Sequence, residues 1–388
     1  MIYKFLAIAD IHWGAMDSNL LYKNLQLVID FIREMKDEID FVVICGDYFD
    51  YRIQLNSKTA LLAVKWFEEL MDACRESGVK RVRMFKGTRE HDNDQLEVFR
   101  PGYEDDSGYF RLYNTTTAEN LFPDLRVVFC PDEPMNLEDY YKIYWDRFIP
   151  YPDIGFFHGN FSNILPKIEF DRIQEHHLPN MVYEYDLLSR LIRGPMIAGH
   201  WHIPQDSEDL YYIGSYDRWK FGEEEPKGFL YGAYNTDTNL YFISRIENNL
   251  ARHYDTIMVS DEECQYPTDF SLLKDRIETI IEKDSSIQLR VVYIITMDDE
   301  NLRKTLSVFQ QQISNLRQVK LDIRDLVKKE EKEHRKKTVE NTSREYGYVF
   351  NRDSTAIAAI ISRFIQERKG ESITEDTIQK YIGKYLSN

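Results

Sequence analysis

The chain has 388 residues, room for about two or three domains, and its 43% hydrophobic and 30% charged residues exclude wholesale disorder. The formal net charge of −17 excludes a protein that coats nucleic acid by bulk attraction. It leaves open an enzyme acting on nucleic acid, because a local basic patch or bound metal ions can reverse the sign at one site.

The opening "MIYKFLAIADIHWG" lacks a basic lead and a small-residue cleavage site, so it reads as a first strand rather than a signal peptide. No apolar run approaches the length of a membrane span. Cys45, Cys74, Cys130 and Cys264 are widely separated and form no C-x-x-C, which fits buried thiols in a cytoplasmic protein.

Up to about residue 255, strand and helix patterns alternate. The strand candidates are "KFLAIAD", "FVVICGD", "RVRMFKG", "RVVFCPD", "IGFFHG", "PMIAGH", "LYYIGS", "GFLYGAY" and "LYFISRI". Residues 19–39 and 57–77 have helical periodicity. The first strands are apolar throughout, as in sheets covered on both faces, which predicts a layered α/β domain whose functional loops leave the strand ends. A second unit, 256–326, combines two helical and two extended patterns as a smaller α+β domain. Residues 327–352 are charge-dense and read as a linker or exposed arm. Residues 353–388 carry two amphipathic helical patterns. The first has Ile357, Ile361 and Phe364 on one stripe, and the second has Ile378, Tyr381 and Tyr385. There is no phosphate-binding G-x-x-x-x-G-K-[ST] and no G-x-G-x-x-G, so ATP or dinucleotide binding by those routes is not expected.

Five strand ends carry Asp or His beside a glycine. They are "IADIHWG" with Asp10 and His12, "ICGDYFD" with Asp47 and Asp50, "KGTREHDNDQL" with His91 and Asp92, "FFHGN" with His158, and "AGHWH" with His200 and His202. Each alone fits a helix cap or a solvated loop, but five in chain order do not. A two-metal site, with ions about 3.5–4 Å apart, needs a bridging carboxylate and further oxygen and nitrogen ligands. Mixed Asp/His ligation suits Mn, Fe or Zn, and such a pair activates water for in-line displacement at phosphorus.

D-x-H, G-D-x-x-D, G-…-H-D, H-G and G-H-x-H in this order resemble the calcineurin-like metallophosphoesterase superfamily. The following "YYIGSYDRWKFGEEEPKGFLY" is similar to the segment that SbcD-type DNA exonuclease subunits carry after their last histidines. Length, the smaller second domain and the helical tail resemble the recombination endonuclease subunits of large tailed phages. The resemblance implies a β-sandwich flanked by helices, an α+β capping domain and a C-terminal helical pair. It also implies a homodimeric, Mn²⁺-dependent DNA exonuclease and endonuclease, partnered with an SbcC-type coiled-coil ATPase. By position, Asp10, His12 and His202 would hold one metal and His158 and His200 the other, with Asp47 bridging. His91 would protonate the leaving oxygen or stabilise phosphoryl charge, with Asp92 orienting it. The family pattern has an asparagine ligand where "GTREHD" has none, so Thr88, Glu90 or water would supply that oxygen. Arg218 and Lys220 in "DRWK", and the run "KKEEKEHRKK" with Lys336 and Lys337, are candidate DNA contacts. Residues 353–388 would dock on the ATPase coiled coil. A stand-alone metallophosphatase or cyclic-nucleotide phosphodiesterase, and a weakly active scaffold for an ATPase, are the competing readings.

Overall fold

A computed structural model describes residues 1–327 apart from 16, 55, 165–180, 224, 261–269, 285–286, 297, 314 and 317. The arm from 328 onward, including Lys336 and Lys337, lies outside the described residues. So do both C-terminal amphipathic patterns, with Ile357, Ile361, Phe364, Ile378, Tyr381 and Tyr385. The chain divides into two compact units, one of Met1–Thr256 with Thr279–Leu289, the other of Ile257–Glu278 and Arg290 onward.

In the first unit, β1 (Ile2–Ile8), α1 (Ser18–Asn24), α2 (Gln26–Glu34), β2 (Phe41–Cys45), α3 (Lys58–Glu76) and β3 (Arg81–Phe85) follow the expected alternation. After a short turn α4 (Arg100–Tyr103) come β4 (Phe110–Tyr113), β5 (Thr117–Phe122), β6 (Leu125–Cys130), α5 (Leu137–Tyr144) and β7 (Ile154–His158). The chain continues through β8 (Asn160–Phe161), β9 (Val182–Tyr183), α6 (Tyr185–Leu191), β10 (Met196–Gly199), β11 (Gln205–Ser207) and β12 (Leu210–Tyr212). It closes on β13 (Gly228–Asn235) and β14 (Tyr241–Glu247).

Two six-stranded sheets result, in the orders β14-β13-β1-β2-β3-β4 and β11-β12-β10-β7-β6-β5. The alternation of side chains explains why the strands read as apolar throughout. Leu6 and Ile8 of β1, with Val42 and Ile44 of β2, pack towards the helices, among Val28, Trp66 and Phe67. Their alternates Phe5, Ala7, Phe41, Val43 and Cys45 pack between the sheets, against Val127, Phe129, Ile154, Phe156 and Ile197. The outer face of the second sheet, with Val128, Cys130, Phe157 and Ala198, meets Tyr140, Leu188 and Leu191. The fold is therefore a β-sandwich flanked by helices, and Cys45, Cys74 and Cys130 are free and buried within it.

The helical pattern over 19–39 is broken at Leu25. Tyr216 Oη donates to the Asn24 carbonyl (2.7 Å) and Trp66 Nε1 to that of Leu25 (3.2 Å), so both carbonyls serve side-chain donors. β4 and β5 were not expected. "FRLY" is only four residues long, and "TAENLF" is a mostly part-buried strand at the edge of its sheet.

After β14 come β15 (Tyr254–Ser260), α7 (Ser271–Lys283), β16 (Gln288–Ile295), α8 (Glu300–Ile313) and β17 (Val319–Asp325), and these three strands pair in the order β15-β16-β17. In α8, Leu302, Leu306, Phe309 and Ile313 are buried at helical spacing, and Phe309 stacks on Phe270 at 4.9 Å. No helix among the described residues is long and apolar enough to cross a membrane.

Phe156 is fully buried where the sheets meet, 5.6 Å from the Phe5 ring and 5.7 Å from that of Phe129. Phe156→Ala should destabilise the sandwich by about 3–5 kcal/mol, because the flanking rings cannot close the void. A urea midpoint unchanged from the parent would contradict this packing.

Candidate metal centre

Within each sheet, the strands that carry candidate site residues run parallel: β1, β2 and β3 in one, β7 and β10 in the other. Their carboxyl ends converge. Among the described residues, three groups of side chains bring ligand atoms within 4.8 Å of one another: Asp10, His12 and His202; His12, Asp47 and His91; and Asp47, His158 and His200. Residues nearly 200 positions apart thus share one cluster, and Asp47 and His12 each belong to two.

Asp47 is the hub. Its Oδ2 lies 3.2 Å from His158 Nε2, 3.9 Å from His91 Nε2 and 4.0 Å from His12 Nε2. Oδ1 accepts the Thr88 amide at 2.6 Å. Gly87 makes this approach possible, since a Cβ there would fall 2.2 Å from the Asp47 nitrogen. Burial pushes the Asp47 carboxyl up, but the imidazoles of His158, His12 and His91 outweigh it and hold the group below its ordinary value. Burial pulls His158 down, yet the charge of Asp47 and the hydrogen bond to it raise this imidazole to about 10. The His200 imidazole, desolvated in this partly buried position and beside the charge of His158, falls to about 3.

The ring nitrogens are oriented from behind. His158 Nδ1 meets the Cys45 carbonyl at 2.8 Å, which leaves Nε2 facing Asp47. His202 Nδ1 lies 3.2 Å from Glu223 Oε1, and His12 Nδ1 lies 3.1 Å from Asp50 Oδ1. Their Nε2 atoms then face each other at 3.0 Å. The carboxylate behind His202 leaves its Nε2 free to offer a lone pair, His12 Nδ1 is near Asp50 without a hydrogen bond, and the two facing Nε2 atoms could together ligate a divalent cation. Asp10, whose two oxygens accept the His200 amide at 3.0 Å, is fully buried, and burial raises its carboxyl. Converging imidazole and carboxylate donors without thiolates fit divalent cations of the Mn, Fe or Zn type.

Thr88, a candidate for the oxygen left open by the sequence, lies within the cluster. Its Oγ1 lies 3.1 Å from Asp47 Oδ2, 3.3 Å from His158 Nε2 and 3.4 Å from His200 Nδ1. Glu90 is exposed and belongs to none of the three groups. Residues 88–92 form a turn, with the amides of His91 and Asp92 both 3.0 Å from the Thr88 carbonyl, and this turn carries Glu90 outward.

Asp92 does not orient His91. Its Oδ1 accepts the Phe49 amide (3.0 Å) and its Oδ2 the Gly87 amide (2.7 Å), bracing the loops after β2 and β3. Burial and the neighbouring charge of Asp47 raise its carboxyl to about 6. The His91 ring is held instead through Nδ1 by the Asp50 carbonyl. Arg218 is also tied internally, donating to the carbonyls of Glu223 (2.9 Å), Arg252 (3.1 Å) and Glu225 (3.2 Å), whereas Lys220 is exposed.

Sequence reasoning missed Glu223 and Lys227. Lys227 Nζ lies 3.0 Å from Glu223 Oε2 and donates to the His202 carbonyl at 2.6 Å, so this buried pair fixes His202 from two sides. Their spacing of four residues, just before a strand, was the available signal. Four non-glycine residues of the centre have left-handed backbones: Asp10 (φ 50), His12 (φ 53), Asp47 (φ 49) and His200 (φ 93). Such conformations persist where surrounding structure enforces them, and they cluster at functional sites.

Parallel strands that deliver Asp and His to one edge of a helix-flanked sandwich define a metal-dependent phosphoesterase frame. The calcineurin-like phosphoesterase family model matches residues 3–238, and the chain belongs to this family. A search of curated proteins gives no significant match.

Glu223→Gln removes the charge behind His202. It should weaken Mn²⁺ binding by about 10–100-fold while far-UV circular dichroism stays unchanged. Unaltered affinity by calorimetry would show that Glu223 does not support the centre.

Proposed function

We propose that this protein is a Mn²⁺-dependent DNA exonuclease and endonuclease, the SbcD-type subunit of a cytoplasmic complex with an SbcC-type ATPase. In this reading it is a homodimer acting on DNA ends during repair, recombination or DNA degradation. The observation that carries the reading is the position of the segment resembling SbcD-type subunits. Within it, the Tyr216 amide meets the Asp10 carbonyl at 3.4 Å, and Glu223 and Lys227 secure His202. The segment on which the resemblance to SbcD-type subunits rests therefore contributes to the wall of the centre, which supports the reading. The α+β unit after the phosphoesterase domain is a further support, as a compact phosphatase has no need of it.

Asp10, His12 and His202 would hold one ion and His158 and His200 the other. Asp47 would lie between them, and Thr88 would add a neutral oxygen on the His158 side. Bound divalent ions would neutralise phosphoryl charge and lower the pKa of an attacking water. His91 reaches the cleft with Nε2 while Nδ1 rests on the Asp50 carbonyl, which suits it to deliver a proton to the departing oxygen. Asp92 keeps the two loops in register by holding the Phe49 and Gly87 amides. Residues 353–388 would receive the ATPase coiled coil, and Lys220 and the 328–337 run would meet DNA.

Linear duplex DNA with Mn²⁺ should be degraded, and EDTA or Asp47→Ala should abolish the reaction. His91→Ala should lower the rate by about 10²–10⁴ while calorimetric Mn²⁺ binding persists. Rapid hydrolysis of p-nitrophenyl phosphate with DNA left intact would overturn the nuclease reading and leave phosphoester chemistry standing.

A further inference from the structure

Beside the centre lies a cavity of about 1000 Å³ that the metal chemistry does not use. Arg52, Ile53 and Gln54 form one wall, and Asn93, Asp94 and Val98 the other. These walls continue the two loops that meet where the Asp50 carbonyl contacts His91 Nδ1. Gln95 joins the loops again. Its Oε1 accepts the Ile53 amide (2.5 Å), and its Nε2 donates to the carbonyls of Tyr51 (3.1 Å) and His91 (3.0 Å). A group seated between the loops is thereby held in fixed relation to His91.

Among the described residues, the lining carries one cation, Arg52, and two carboxylates, Asp94 and Glu97, each of which has another cation within 4.0 Å. Asp94 faces Lys86 Nζ at 3.9 Å, and Glu97 takes Arg100 Nε at 2.6 Å and Asn114 Nδ2 at 2.5 Å. Arg52 is exposed and forms no ion pair among the described residues. Tyr51 does not itself line the cavity; its ring lies at the rim, beside the lining residue Ile53 near Gly14, and the residue is 51% exposed. A Cβ at Gly14 would come within 3.0 Å of the Tyr51 ring, so the ring is braced against the loop that carries His12. Much of the ring remains open to solvent.

We propose that this cavity is a subsite for the nucleotide adjoining the phosphodiester that is cut, with Arg52 holding its phosphate and Tyr51 stacking on its base. The proposal rests on the nuclease reading above. On a chain of net charge −17, phosphate affinity must come from locally uncompensated cations, and Arg52 is one. A guanidinium beside an open aromatic face is the usual pairing for strand binding without sequence preference. The volume is at the upper end for small-molecule pockets, which suits a nucleotide better than a compact phosphomonoester.

The test is the anisotropy of a fluorescein-labelled single-stranded oligonucleotide bound to the full chain in EDTA, across a salt series. Mn²⁺-dependent cleavage of DNA is followed in parallel. Arg52→Gln should weaken binding by about tenfold and reduce the salt slope by about 0.7, the contribution of one single-strand phosphate contact. Arg52→Lys should retain the slope. Tyr51→Ala should weaken binding by about tenfold at unchanged slope, because stacking releases no counterions. If the parent cuts DNA and Arg52→Gln matches its affinity and slope, the subsite is overturned and the nuclease reading stands. If the parent neither binds nor cuts DNA, both fall.

Discussion

The Asp47 carboxylate, buried where two sheets converge, is the constraint around which the rest of the centre is arranged. An unpaired carboxylate in that position would cost several kcal/mol, and Asp10 and Asp92 are buried nearby. The surroundings answer this charge in detail. One oxygen takes the Thr88 amide, and the other faces Thr88 Oγ1 and three imidazoles. Gly87 leaves the space, and Asp92 clamps the loops on either side. None of these groups is placed by the loop that carries Asp47 alone. The anion is affordable only because β1, β2, β3, β7 and β10 end at the same edge.

That edge depends in turn on the sandwich. The strands alternate between a core shared with the helices and a core shared with the opposite sheet. A slip of one residue in β2 would exchange Val42 and Ile44 with Val43 and would swing the following Asp47 away from the cluster. Packing between the sheets and ligand geometry are therefore one specification. Phe5, Phe41, Phe129 and Phe156, in contact across the interface, set the spacing on which the His12–His202 approach relies.

Much of this was legible in the sequence, because apolar runs and their polar ends are local signals. The nine strand candidates up to residue 255 all became strands, and each of the five strand ends brought at least one Asp or His into the cluster. What was not legible depends on contacts between distant side chains and the backbone. The break at Leu25 comes from Trp66 and Tyr216, the grip on His202 from Glu223 and Lys227, and the placement of Asp92 from amides on two loops. Periodicity carries none of that. Glu90 looked the stronger donor by charge, but the turn at 88–92 sets the hydroxyl of Thr88, not Glu90, beside Asp47, His158 and His200. Arg218 looked like a DNA contact by charge, yet its donors close a loop on itself.

The left-handed backbones at Asp10, His12, Asp47 and His200 carry a consequence for engineering. Each costs on the order of 1–3 kcal/mol where it is not glycine, and two of the four also bury a carboxylate. Asparagine or glycine at Asp10, whose carboxyl burial raises, would relieve strain and buried charge together. The metal-free chain is therefore least comfortable where its chemistry resides. Directed evolution for heat resistance in the presence of a chelator would enrich substitutions at the ligands themselves and return sturdier proteins with no catalyst in them. Selection with divalent metal present reverses that gradient, since ligand binding then stabilises the fold through the same residues.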